Sequence, residues 1–160
     1  MQNKLNDEQK VNVLMSALEE RYQSLRTIRE RIQNICLWML GILFGVSGWL
    51  IQSDIRLFTE EKTLFIIGLA ILFAVLRFGY LSDLERGFKG QQRVVVRLER
   101  NLGLFNEGVF DDSNESVYPK SWEKAGSENG NGNFFNTTYR LLYVGFGFLA
   151  VVVILQGCLF

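Results

Sequence analysis

Three apolar blocks, Asn34 to Gln52, Thr63 to Leu81 and Tyr139 to Phe160, constrain this chain more than any other feature. Each is close to the ~20 residues that cross about 30 Å of hydrocarbon as a helix. The first contains no ionisable side chain except Cys36. All 17 acidic residues and all of the 17 basic residues except Arg77 and Arg140 are therefore segregated outside the blocks. The expected product is an all-α integral membrane protein: two long helices form a transmembrane hairpin with a cytosolic coiled-coil-like stem, and a third, C-terminal transmembrane helix is added to them.

Six Lys and Arg residues precede the first block, two separate it from the second, seven lie between the second and third, and none follows the third. The positive-inside bias then places the N-terminus in the cytosol and the C-terminus outside, in the inner (cytoplasmic) membrane. On this topology residues 1–34 are a cytosolic amphipathic helix, 35–52 the first transmembrane helix, 53–62 a short external loop and 63–82 the second transmembrane helix. A cytosolic helix at 83–102, a cytosolic aromatic-bearing loop at 103–137 and the third transmembrane helix at 138–160 complete the chain. Cys36 and Cys158 fall near opposite membrane surfaces, too far apart for an intrachain disulfide.

From Val11 the apolar positions Leu14, Leu18, Leu25, Ile28, Ile32 and Ile35 advance by threes and fours, with Arg21 in the same register. No proline or glycine interrupts residues 5–40, so this seam and the first span can form one helix. Leu81, Leu84, Phe88, Gln91, Val95, Leu98 and Leu102 repeat the pattern beyond the second span. If Ile35 and Leu81 share a depth, Arg21 comes level with Val95 and within reach of Glu99, and Gln91 comes level with Leu25. Arg21 and Gln91 are then either one polar register position in each seam or, for Arg21, a side chain that snorkels its head to water.

The chain has no histidine, Cys-x-x-Cys pair, phosphate-binding loop or nucleophile elbow, so no enzyme activity, cofactor or metal is expected. Arg77 lies about one turn inside the second span, where its head either snorkels to phosphates or lines a central path in an oligomer. Gly41, Gly45 and Gly48 share one face of the first span, and small residues let helix backbones approach in lipid. Their partner is either the second span or a neighbouring subunit.

Arg26, Arg29 and Arg31 on one arm, with Arg86, Lys89 and Arg93 on the other, gather basic charge near the inner membrane surface. Anionic headgroups are the expected partner rather than nucleic acid. In the loop, Phe105, Phe110, Tyr118 and Trp122 are too aromatic to be left in water and are expected on the flank of the stem, with the inner leaflet or a partner protein as other covers.

Glu19-Glu20-Arg21-Tyr22, followed by Arg26 and Arg29, leads into two closely spaced spans and a second polar helix. Over roughly residues 10–100 this layout resembles the small two-transmembrane SLATT effectors, which accompany nucleotide-sensing systems in bacterial antiphage defence. The third span and the loop lie outside the resemblance, which implies oligomerisation and membrane disruption on a cytosolic signal. The expected function is a homo-oligomeric membrane effector that alters permeability. The alternative is a non-catalytic anchor or sensor subunit whose stem and aromatic loop dock a cytosolic protein.

Overall fold

The computed structural model describes residues 6–53, 55, 57–109, 115–127 and 133–156. Among them the protein is helical, with no strand. Helix α1 is Asp7–Gln52, α2 is Thr59–Ala74, α3 is Ser82–Asn101 and α4 is Phe134–Leu155. A π-helical segment, Val75–Leu81, joins α2 to α3, and a 3₁₀ turn occupies Lys120–Lys124. Three stretches are long and apolar enough to cross a membrane, and they lie in α1, in the continuous helix Thr59–Asn101 and in α4. The chain is multi-pass by this measure.

At 46 residues, α1 is about 69 Å long at 1.5 Å per residue. Asn6 opens it, because the Asn6 carbonyl accepts from Lys10 N–H and the Gln9 side-chain oxygen accepts from Asn6 N–H, the reciprocal half of a capping box. Helix α2 starts in a related way, with the Glu61 carboxylate accepting from Phe58 N–H. Helix α3 ends in a Schellman turn at Gly103, whose φ of 76° few L side chains adopt: Leu104 N–H reaches Glu99 O and Gly103 N–H reaches Arg100 O.

The chain divides into two compact units. The polar unit comprises Met1–Arg29 with Glu85–Gly132, and the apolar unit comprises Glu30–Leu84 with Asn133–Phe160. In the polar unit the seam positions expected from spacing are turned inward. Leu18 and Val95 are buried, while Leu14, Leu25, Ile28, Phe88, Leu98 and Leu102 are half-buried. Val11 is exposed. The loop after α3 folds back on this unit. The Tyr118 N–H donates to Leu104 O, and Gly126, at φ 78°, lies so close to α3 that an added Cβ would stand 2.6 Å from the Lys89 carbonyl oxygen.

In the apolar unit α4 carries most of the packing. Tyr139, Leu142, Gly145, Phe146, Leu149 and Val153 are buried at helical spacing, as are Ile32, Cys36, Leu43, Ser47 and Leu50 along one stripe of α1. Of the apolar window in each stretch, 39% is buried in α4, 22% in α1 and only 6% in the helix Thr59–Asn101, so the second stretch is the one that offers most of its surface to the surroundings. The α4 side chains meet α2 through Phe73, whose ring lies 5.1 Å from both Tyr143 and Phe146. They meet α1 through Phe44 and Phe148, 5.6 Å apart.

Candidate functional site

Among the polar side chains of the apolar unit, Ser47, Gln156 and Arg77 are each held differently. Ser47 is fully buried and its hydroxyl donates to Leu43 O, 2.7 Å away, the return of a serine to its own helix that removes an unmet donor. Gln156 is buried at the end of α4, and its Nε2 donates to Leu50 O at 3.3 Å and Ile55 O at 2.8 Å. It thereby adds a donor to a carbonyl of the last turn of α1 that also accepts from the Ser53 hydroxyl at 3.2 Å.

Arg77 has no such partner. It sits in the π-helical segment Val75–Leu81, where i→i+5 bonding widens the turn beyond four residues. Phe73 and Arg77 both face α4: the Arg77 guanidinium carbon lies 3.6 Å from the centroid of the Tyr139 ring. Its Nε is buried with no hydrogen-bond partner among the described residues.

Gly41 and Gly45 are exposed and Gly48 is half-buried. A Cβ built on any of them would have no other atom within 4 Å. The buried stripe of α1 runs elsewhere, through Leu43, Ser47 and Leu50. Gly145 of α4 is where two helices approach, with a built Cβ 2.7 Å from Leu40 Cδ2 and 3.1 Å from Leu43 Cδ1. Around the open glycines stand Leu37, Trp38, Ile42 and Trp49, all exposed.

The polar unit holds a second constellation. Arg21 Nη1 donates to Gln91 Oε1 at 3.1 Å, so the two polar seam positions meet each other. Glu99 goes to a different donor from the one its spacing pointed to. It is buried, and the Tyr22 hydroxyl donates to its carboxylate while also bonding Tyr118. Loss of water at the hydroxyl, together with the Glu99 and Tyr118 contacts, raises the Tyr22 pKa far above the ordinary tyrosine range.

Of the loop aromatics, Phe105 is buried with its ring 6.0 Å from Tyr118, and Tyr118 lies 5.4 Å from Trp122, which remains 55% exposed. Phe110 lies outside the described residues. Two ion pairs fasten this loop, Lys120 to Glu107 at 2.7 Å and Arg100 to Glu123 at 3.5 Å. Arg26, Arg29, Arg31, Arg86 and Arg93 are exposed, and Lys89 pairs with Glu85 at 2.7 Å.

Tyr22, Glu99, Tyr139 and Gly145 are the positions that spacing alone undervalued. Tyr22 and Glu99 each lie one residue beyond a seam position, Arg21 and Leu98. The only available signal was an acid inside an otherwise apolar helical face. The arrangement offers buried hydrogen-bonded polar groups, an unmatched cation and an open small-residue face. Comparison with protein-family models, curated proteins and solved structures finds no match.

Proposed function

We propose that the protein is a homo-oligomeric integral membrane effector that changes bilayer permeability when its cytosolic part receives a signal. The observation that carries this reading is the open glycine face of α1: a Cβ added at Gly41, Gly45 or Gly48 would meet nothing within 4 Å among the described residues, while a close helix contact is made elsewhere, at Gly145. In lipid, apolar area drives no association, so a backbone-exposing face flanked by exposed Trp38, Ile42 and Trp49 is best used by another helix. The most economical partner is the same face of a second copy. In this reading α1 and the helix Thr59–Asn101 form an antiparallel hairpin with a coiled-coil-like cytosolic stem, the N-terminus is inside and the C-terminus outside, in the cytoplasmic membrane. The resemblance to SLATT effectors adds antiphage defence as the setting.

A second reading has its own support. Trp122, Val109 and Val117 are exposed on a loop otherwise fastened by ring contacts and ion pairs, a preformed apolar surface suited to a cytosolic protein. On that reading the spans only anchor the protein.

Crosslinking in native membranes together with a membrane-potential dye after induction separates the two. The effector reading expects a ladder of crosslinked species and depolarisation, both lost in Gly45→Leu at normal expression. Unchanged potential under every trigger, with a soluble protein co-purifying through the Trp122 surface, would replace it with the docking reading.

A further inference from the structure

Arg77 is the only formally charged residue between Lys62 and Asp83, and it lies about one helical turn inside the apolar stretch. A charge at that depth is retained only with a compensating partner. The protein supplies half of one. The Tyr139 ring covers one face of the guanidinium at 3.6 Å, and Phe78 stands 5.6 Å from it. Aromatic faces attract the cation but accept none of its in-plane N–H bonds. Among the described residues, none of the Arg77 donors has an acceptor and no carboxylate lies within 4 Å of it. Nε is buried, whereas the two Nη atoms are not among the buried unpartnered atoms, so the open edge of the fork is the outer one.

We propose that Arg77, backed by Tyr139, binds the phosphodiester of an anionic glycerophospholipid in the leaflet at the α3 end of the span. A planar fork with one ring-covered face and a free edge matches two phosphate oxygens, which it can bind in bidentate fashion. The depth also fits: an arginine one turn from the end of a span reaches the level of headgroup phosphates. Arg140, exposed directly after Tyr139 on α4, adds a second cation on that turn of the helix. Two cations with no carboxylate partner favour a headgroup with net negative charge over a zwitterion, whose own cation would be repelled. This inference rests on the membrane placement and is independent of whether the protein changes permeability, since it is read by lipid retention alone.

The test is native mass spectrometry of the purified full-length chain in mild detergent, supplied with equal amounts of phosphatidylglycerol and phosphatidylcholine. The expected result is one retained phosphatidylglycerol per chain, preferred about tenfold, a difference set by the net headgroup charge beside Arg77 and Arg140, because both lipids offer the same phosphodiester oxygens. Arg77→Gln should bring the two lipids to parity. Arg77→Lys, which keeps the charge but not the fork, should retain part of the preference. Excess inorganic phosphate should not displace the lipid; displacement would support the same anion site while assigning it to soluble phosphate. Equal retention of both lipids by the wild type would overturn the proposal, and that comparison stands even if every Arg77 variant misfolds. Undiminished preference in an Arg77→Gln variant that elutes as wild type would overturn it as well.

Discussion

Gly145 of α4 and Gly45 of α1 both lie in apolar helices of one unit, and what surrounds them is opposite. A methyl group on Gly145 would meet Leu40 and Leu43 at 2.7 and 3.1 Å, while one on Gly45 would meet nothing within 4 Å. The first glycine is a place where the chain closes on itself. The second leaves backbone accessible on a face the chain does not use. A glycine motif in a membrane helix therefore marks close approach only when the partner is known, and here the single Gly145 of α4 makes the intrachain contact.

The sharpest way to break this comparison is to enlarge both glycines. Gly145→Leu should cost about 3 kcal/mol or more through overpacking against Leu40 and Leu43, and detergent-solubilised protein should lose its monodisperse elution and melt several degrees lower. Gly45→Leu should leave the melting temperature of the isolated chain within scatter. Equal destabilisation by the two changes would erase the distinction between closed and open faces.

Gly126 extends the same test to the polar unit. A side chain there must adopt φ near 78° and would stand 2.6 Å from the backbone oxygen of Lys89, which cannot swing aside as a leucine methyl can. Gly126→Ala should cost about 2 kcal/mol and expose 103–127 to limited proteolysis while leaving the apolar unit protected. Resistance equal to wild type would show that the loop does not depend on this contact.

Tyr22→Phe tests a closed polar contact instead of a closed apolar one. It leaves the buried Glu99 carboxylate without its hydroxyl donor, at a cost of about 1–3 kcal/mol. Because the folded-state pKa of Tyr22 is raised, its contribution is complete below the ordinary tyrosine value near 10 and is lost as pH rises beyond it. Hydrogen exchange in α3 should accelerate above about pH 10 in the wild type and show no such Tyr22-linked step in Tyr22→Phe. A matching alkaline step in both proteins would remove Tyr22 as its source.

The smallest effect belongs to the exposed loop pair. Lys120 holds the Glu107 carboxyl below the usual carboxylate range, so whatever the pair contributes is present at neutral pH and fades as pH falls through that lowered value. Both side chains face solvent, and Glu107→Gln should leave thermal stability unchanged within scatter. A clear loss would mean that the loop is held from outside rather than by the buried Phe105 and Tyr118.

Much of the architecture was legible from spacing. The apolar blocks coincide with stretches fit to cross a membrane, and Leu18 and Val95 of the three-four seams turn inward in the polar unit, where Val96 and Glu99 are buried as well although they lie outside the seam. The absence of proline and glycine across residues 5–40 corresponds to one unbroken α1. What spacing could not supply was azimuth. Periodicity tells which residues share a face but not which face meets which helix, so it could not distinguish the stripe through Leu43 and Ser47 from the one through Gly41 and Gly45, nor bring Arg77 onto Tyr139, 62 positions away in the sequence. The π-helical segment was equally hidden, because apolar spacing does not distinguish i→i+5 from i→i+4 bonding. The register of Arg21 on Gln91 likewise depended on two polar groups finding each other across 70 residues.

Gln156 imposes an order of events on biosynthesis. Its amide ties together Leu50 and Ile55, made more than a hundred residues earlier, so α1 can be inserted and α2 synthesised while the end of the first span still lacks that donor. Until α4 leaves the ribosome, the Leu50 carbonyl has the Ser53 hydroxyl but not the Gln156 amide as a donor, and the stripe through Ile32 and Ser47 has no α4 to cover it. The nascent chain is thus exposed to wrong partners at the very helix that bears the open glycines, and the third span is the element whose arrival ends that interval.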